Sequence, residues 1–204
     1  MSKPLAIDLY SGLGGWAEGL LATGWSVVGF DIERHHYGDH KYPAQLVLQD
    51  VLTLHGSQFR NAALIVASPP CQAYSYRAMP WSRAKALPPP DNTLFDACFR
   101  IQREACEAAG RHIPLIVENV RGAQKWVGRS RWNYGSFYLW GDVPALMPIG
   151  THRKQDGDPS WFYENYETSA RRFSSKSQKR KEWSALIAKI PFDLARHIGE
   201  VFRP

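Results

Sequence analysis

Short apolar runs, each closed by a polar or turn-forming residue, set the rhythm of the first 120 positions. Leu5-Ala6-Ile7-Asp8-Leu9-Tyr10 reads as a strand, followed by Ser11-Gly12-Leu13-Gly14-Gly15 and a helical pattern from Trp16 to Thr23. A second strand, Ser26 to Phe30, ends in Asp31, and a third, Leu46-Val47-Leu48-Gln49-Asp50, again ends in an acid. Leu64-Ile65-Val66-Ala67 is apolar throughout, the pattern of a strand covered on both faces, and it runs into Ser68-Pro69-Pro70-Cys71-Gln72. Two prolines remove backbone donors and fix φ, so this strand must stop in a stiff turn that leaves Cys71 at the rim of a sheet.

From Ala73 to Asn92 the periodicity lapses, and the chain carries proline, serine, tyrosine and basic residues, which predicts a long functional loop. Thr93 to Gly110 then reads as an amphipathic helix with Leu94, Ala97, Cys98, Ile101 and Cys106 on one side and Gly110 as its stop. Ile113 to Val120 is the next strand, with Glu118 at its carboxyl end. Strand, helix and strand form a βαβ unit, whose right-handed crossover makes the strands parallel and brings Cys71 and Glu118 to the same rim. Gly135 to Trp140 predicts one more strand, and Ser174 to Ala188 and Phe192 to Phe202 predict two helices separated by Pro191. The order of elements predicts an α/β fold with a doubly wound, mostly parallel sheet.

Composition narrows the class. A chain of 204 residues holds one well-buried domain with a single core, and 44% hydrophobic and 22% charged residues are ordinary for a soluble protein. No apolar run approaches a membrane span, and no secretory leader precedes the first strand, so a cytoplasmic protein is expected. Three cysteines without metal-like pairing argue for reduced thiols and against a metal site. The net charge of +6 is unevenly spread: Arg171, Arg172, Lys176, Lys179, Arg180 and Lys181 fall in an acid-free stretch, as do Arg77, Arg83 and Lys85 among Tyr74, Ser75, Tyr76 and Trp81. Either stretch is a solvated loop or a surface for a nucleic-acid backbone, and the eight tryptophans are core or stacking platforms for bases.

Several side chains carry alternatives. Cys71 is a small buried hydrophobe or a nucleophile at a ligand-binding rim. Asp31, about twenty residues after the glycine turn, is a helix N-cap or an acceptor for ribose hydroxyls. Glu118 is a salt-bridged group or a carboxylic acid held protonated by desolvation, and the cysteine opposite favours the second.

Together these segments resemble the DNA (cytosine-5) methyltransferase family. Asp8-Leu9-Tyr10-Ser11-Gly12-Leu13-Gly14-Gly15 is similar to the family's first motif, Pro70-Cys71-Gln72 to its nucleophile motif, Glu118-Asn119-Val120 to its acid motif, and Arg129-Ser130-Arg131 to its Arg-x-Arg motif. The resemblance spans about residues 5 to 140. It implies the Rossmann-like sheet of class I S-adenosylmethionine-dependent methyltransferases, with methyl transfer to carbon 5 of cytosine in DNA. It also implies S-adenosylmethionine held by Tyr10, Gly12, Leu13, Gly14, Gly15, Asp31, Ile32, Asp50, Val51 and Pro70. Cys71 would be the nucleophile, Glu118 the group at cytosine N3, Asn119 its neighbour, and Arg131 a holder of the base. Gln72, Ser75, Arg77, Arg83, Lys85, Arg129, Arg171, Arg172 and Lys176 would face DNA.

The chain departs from the family in two places. Residues 1–149 form the expected catalytic and cofactor-binding core and 174–204 the returning helices, which leaves only 150–173 for target recognition. Short or relaxed specificity, or a protein partner that supplies recognition, is therefore expected. Such economy suits a phage or mobile element in a bacterial cell. Ile190-Pro191-Phe192-Asp193-Leu194-Ala195 is similar to the family's last motif but lacks its Gly-Asn, and Lys189 beside it is a surface lysine or a partner for an extra carboxylate on a modified cofactor, which would make the reaction carboxymethyl transfer. The remaining alternatives are action on a cytidine nucleotide or single-stranded DNA, and a catalytically silent DNA-binding subunit.

Overall fold

The computed structural model describes residues 2–74, 88–148 and 177–204. Its main sheet has seven strands in the order β5-β2-β1-β6-β7-β9-β8, where β1 is Leu5–Leu9, β2 Ser26–Asp31, β5 Gln45–Leu48, β6 Leu64–Ala67, β7 Leu115–Asn119, β8 Trp132–Tyr134 and β9 Phe137–Gly141. The five strands from β5 to β7 are parallel, whereas β9 runs antiparallel to both β7 and β8. The chain builds outward from β1 through β2 to β5 and then crosses back to β6, so the strand order reverses between β1 and β6. This reversal opens a crevice at the carboxyl ends of the parallel strands, the Rossmann-like doubly wound α/β arrangement.

Among the described residues, five α-helices accompany the sheet: α1 Gly15–Ala22, α2 Thr93–Ala109, α3 Gln124–Val127, α4 Gln178–Ala188 and α5 Phe192–Phe202. Buried apolar residues form two clusters, one per face of the sheet, rather than the single core expected. One gathers Ile7, Ile65, Leu115 and Val117 under Phe95, Cys98 and Ile101 of α2. The other gathers Ala6, Leu64, Val66 and Ile116 under Trp16 and Leu20 of α1 and Leu194 and Ile198 of α5. Alternate residues of each strand serve opposite faces, which is why β6 is apolar throughout and β7 is apolar over Leu115, Ile116 and Val117 before its polar end.

Helices α1 and α5 meet backbone to backbone. An added Cβ at Gly15 would overlap the Ile190 backbone, one at Gly19 would overlap Ala195 and Arg196, and one at Gly199 would meet the Thr23 hydroxyl. The buried indole of Trp25 closes this seam by donating to the Gly199 carbonyl at 2.9 Å.

Some expectations shift. The stretch after Gly128 is a hairpin of two strands, not one strand, because Gly135 at φ 59° turns the chain between them. A small separate hairpin pairs β3, His36–Tyr37, with β4, His40–Lys41. In α2 the buried residues are Phe95, Ala97, Cys98, Ile101 and Ala105, while Leu94 and Cys106 lie at the margin. The Leu94 carbonyl accepts from the Tyr10 hydroxyl at 2.8 Å, and the Cys106 sulfur accepts from the Ile113 N–H at 3.1 Å. Among the described residues, no helix is long and apolar enough to cross a membrane.

Candidate active site

The glycine turn after β1 is built from unequal parts. Tyr10 adopts a left-handed φ of 58°, rare for a residue with a Cβ, and its hydroxyl donates to the Leu94 carbonyl at 2.8 Å. This ties the turn to the start of α2. Gly12 is also left-handed, and nothing lies within 4 Å of where its Cβ would stand. Gly14 instead rests against Tyr42 and Pro43, and Gly15 against Ile190, so packing requires those two glycines while Gly12 alone opens onto space. Leu13 is buried, and the buried Ser11 hydroxyl oxygen has no hydrogen-bond partner among the described residues.

Asp31 closes the turn from the next strand. Its Oδ2 accepts from the Gly12 N–H at 2.9 Å and its Oδ1 from the Glu33 N–H at 3.2 Å. The local cap and the long-range contact therefore coexist. Burial works to raise the Asp31 pKa, but the His35 imidazole 3.7 Å away and the two N–H donors outweigh it and hold the carboxyl below its ordinary value. His35 is raised in turn, chiefly by its interaction with Asp31.

Asp50 uses Oδ1 to accept from the Leu52 N–H at 2.9 Å, capping a short helical turn over Val51–Thr53 in which Val51 is buried. Ile32, beside Asp31, is 73% exposed and offers an aliphatic surface on which a flat ligand could pack. An open left-handed glycine, an ionised Asp31, an orphaned serine hydroxyl and a bare isoleucine fit a ribose and a flat heterocycle at this rim.

Asp8, which the sequence does not single out, is buried in β1 and accepts from the Tyr42 hydroxyl at 3.1 Å, and among the described residues its other oxygen has no hydrogen-bond partner. Burial pushes its pKa well up, more than the Tyr42 hydrogen bond lowers it, and the Asp31 charge adds to the rise. A lone acid among Ile7 and Leu9 was the available signal.

The cysteine turn lies next to this crevice. Pro69 and Pro70 offer no N–H, so side chains fix the turn from both sides: the Trp16 indole N–H donates to the Ser68 hydroxyl at 3.0 Å, and the Asn119 amide donates to the Pro69 carbonyl at 3.0 Å. Ala67 of β6 pairs with Val117 of β7, which places Cys71 four residues beyond the end of β6 and Glu118 at the carboxyl end of the neighbouring parallel strand β7. Cys71 and its neighbours Pro70 and Gln72 reach the surface, while Glu118 and Asn119 are buried. Cys98 lies fully buried in α2, and burial drives its thiol pKa upward, which suits packing rather than reaction.

Arg129 and Arg131 are exposed between α3 and β8. Ser75, Arg77, Arg83, Lys85, Arg171, Arg172 and Lys176, with the whole 150–173 segment, lie outside the described residues. Lys189 is engaged by Glu18, Nζ to Oε1 at 2.6 Å, so its charge is already matched within the α1–α5 seam. Among the described residues, no group of three or more His, Cys, Asp or Glu side chains could hold a metal ion.

No curated protein sequence matches the chain. Among solved structures, it is similar to a protein described as a prophage-encoded DNA modification methyltransferase of E. coli, at 26% identity and a TM-score of 0.43, over 61% of this chain and 34% of that one. It is also similar to the S. pombe Dnmt2 methyltransferase, at 18% identity and a TM-score of 0.40, over 60% of this chain and 36% of that one. The Entamoeba histolytica methyltransferase EhMeth matches at 14% identity and a TM-score of 0.45, over 77% and 58% of the two chains. The chain thus spans about a third of the length of the first two. The sequence profile described as C-5 cytosine-specific DNA methylase matches residues 5–128, more than half of the chain and the whole run from the glycine turn past Glu118; the chain belongs to that family.

Proposed function

We propose that the chain transfers a methyl group from S-adenosylmethionine to carbon 5 of cytosine in DNA, through a covalent bond between Cys71 and cytosine C6. The observation that carries this reading is the delivery of Cys71 and Glu118 to one rim by neighbouring parallel strands, with Asn119 bonded across to the cysteine turn. Binding alone would require neither the thiol nor the acid.

Cytosine C5 is a poor nucleophile. Addition of the Cys71 thiolate to C6 breaks the C5–C6 double bond and moves its electron pair toward C5 and the N3–O2 side of the ring. A hydrogen bond or proton from Glu118 to N3 relieves the charge that accumulates there. S-adenosylmethionine, when bound, would supply an electrophilic methyl group to C5, the sulfonium–methyl bond breaking as the C5–methyl bond forms and S-adenosylhomocysteine departing. Loss of the C5 proton to a base returns its electron pair to the ring and expels Cys71 as thiolate. Gly12 and Ser11 would meet the amino-acid end of the cofactor, Asp31 its ribose, and Asp50, Ile32 and Val51 its adenine. Arg131 would help hold the cytosine, which must leave the base stack for Cys71 to reach it.

The same reading assigns residues 1–149 to the catalytic core, 150–173 to a reduced recognition segment and 174–204 to helices that return to the core. Specificity is then short or relaxed, or supplied by a protein partner. A polymer substrate is favoured over a mononucleotide by the absence of acids between Glu118 and Asp142, a stretch with four basic residues.

Nucleoside mass spectrometry after incubation with S-adenosylmethionine tests the reading on duplex DNA, single-stranded DNA and dCMP. New 5-methylcytosine in DNA that disappears with Cys71→Ala is expected. Absence of product on all three substrates overturns methyl transfer by this chain alone.

A further inference from the structure

The sheet register places an exposed aromatic ring in line with the acid. Glu118 of β7 pairs with Leu139 of β9, and Leu139 pairs with Trp132 of β8. Residues in one such row share a face of the sheet, so Glu118, Leu139 and Trp132 point the same way. Two strand spacings separate the ends of the row, about 10 Å. That is the separation between a base held at Glu118 and a nucleotide close to it in the same strand.

Trp132 is 39% exposed, and among the described residues it is the one tryptophan classed as exposed. It stands on a three-residue edge strand, directly after Arg131, in a stretch from Arg121 through Lys125 and Arg129 that contains no acid before Asp142. A large aromatic face bordered by cations is matched to a nucleic-acid strand, which offers flat bases to stack and phosphates to pair.

We propose that Trp132 is a stacking platform for a nucleotide neighbouring the target cytosine, holding the strand in register with Glu118. This rests on the reading of the chain as acting on cytosine in DNA. It supplies a contact outside the reduced recognition segment, and because every base has a π face it favours tolerance of sequence over readout.

The test uses the full chain and a fluorescein-labelled single-stranded oligonucleotide with one cytosine. Fluorescence anisotropy should show affinity about 5- to 100-fold lower for Trp132→Ala, while Trp132→Phe stays close to wild type because it keeps a ring to stack. With 5-iodouracil on either side of the cytosine, irradiation should cross-link the Trp132 peptide, as read by mass spectrometry. Unchanged affinity in Trp132→Ala, cross-links confined to other residues, or no binding by wild type each overturn the proposal. Formation of 5-methylcytosine by wild type, measured in parallel, separates the two ideas. Methylation with an unaffected Trp132→Ala removes the platform alone, whereas binding that depends on Trp132 without methylation removes the catalytic reading alone.

Discussion

The Asn119 side-chain amide spans from the end of β7 to the Pro69 carbonyl two residues before Cys71, at 3.0 Å, while its Oδ1 accepts from the Val120 N–H at 2.8 Å. One buried side chain thus sets the distance between the turn that carries the thiol and the strand that carries the acid. Asn119→Ala leaves the Pro69 carbonyl unsatisfied and should cost about 1–3 kcal/mol of stability. On the proposed reaction it should lower kcat more than it raises KM for the cofactor, because the side-chain hydrogen bonds of Asn119 go to Pro69 and Val120 and not to the glycine turn. Urea denaturation and steady-state kinetics measure the two effects, and an unchanged kcat would show that the bond does not position Cys71.

Trp16 and Ser68 make the matching tie on the other side, joining the start of α1 to the cysteine turn. Trp16→Phe and Ser68→Ala should each destabilise the chain, and their effects should fail to add by about 0.5–1.5 kcal/mol. A double-mutant cycle in urea gives this coupling directly. Strict additivity would mean that the two groups act separately.

The buried Asp8 carries a pH dependence of defined sign. Its folded pKa is raised, chiefly by burial, so folding opposes ionisation and wild-type stability falls as pH rises above the unfolded value of about 3.9. Asp8→Asn keeps an oxygen for the Tyr42 hydroxyl and removes the titration. Its urea midpoint should therefore gain on wild type between pH 4 and pH 8, and a constant difference across that range would contradict the burial argument.

Asp31 and His35 behave in the opposite sense. The raised His35 pKa gives stability that is fully present below the unfolded histidine value of about 6.5 and lost as pH rises through the folded one. The lowered Asp31 pKa gives stability present above its unfolded value and lost as pH falls through the folded one. The pair therefore contributes between the two. An NMR titration should place His35 above the ordinary histidine value and Asp31→Asn should bring it down; an unmoved His35 would show that the carboxylate is not its partner.

The parts of this fold that were legible in the sequence are those where one force dominates. Continuous apolar runs such as Leu64 to Ala67 can be accommodated only inside a two-faced sheet, and Pro69-Pro70 can only end it. The connection from there to Glu118 then follows from chain handedness. Trp132–Tyr134 was missed because three residues of mixed polarity carry no period, and its direction depends on Gly135, whose left-handed φ is a property of the folded turn. The ties among Trp16, Ser68, Asn119 and Pro69 were illegible for another reason: each joins residues about fifty positions apart, and nothing local distinguishes those donors and acceptors from ordinary polar positions. Gly14 and Gly15 show the converse, since a glycine required by packing and one required by a ligand look alike in a sequence.

The glycine seam between α1 and α5 has a mechanical consequence. Gly15 and Gly19 lie against the backbone of Ile190 and of Ala195 and Arg196, and Gly199 lies against the Thr23 side chain, so a larger residue at any of the three would push the helices apart. A substitution in the carboxyl-terminal helix is therefore felt first at α1, the helix that carries Trp16, without passing through the sheet, although nearly the whole length of the chain lies between the two helices.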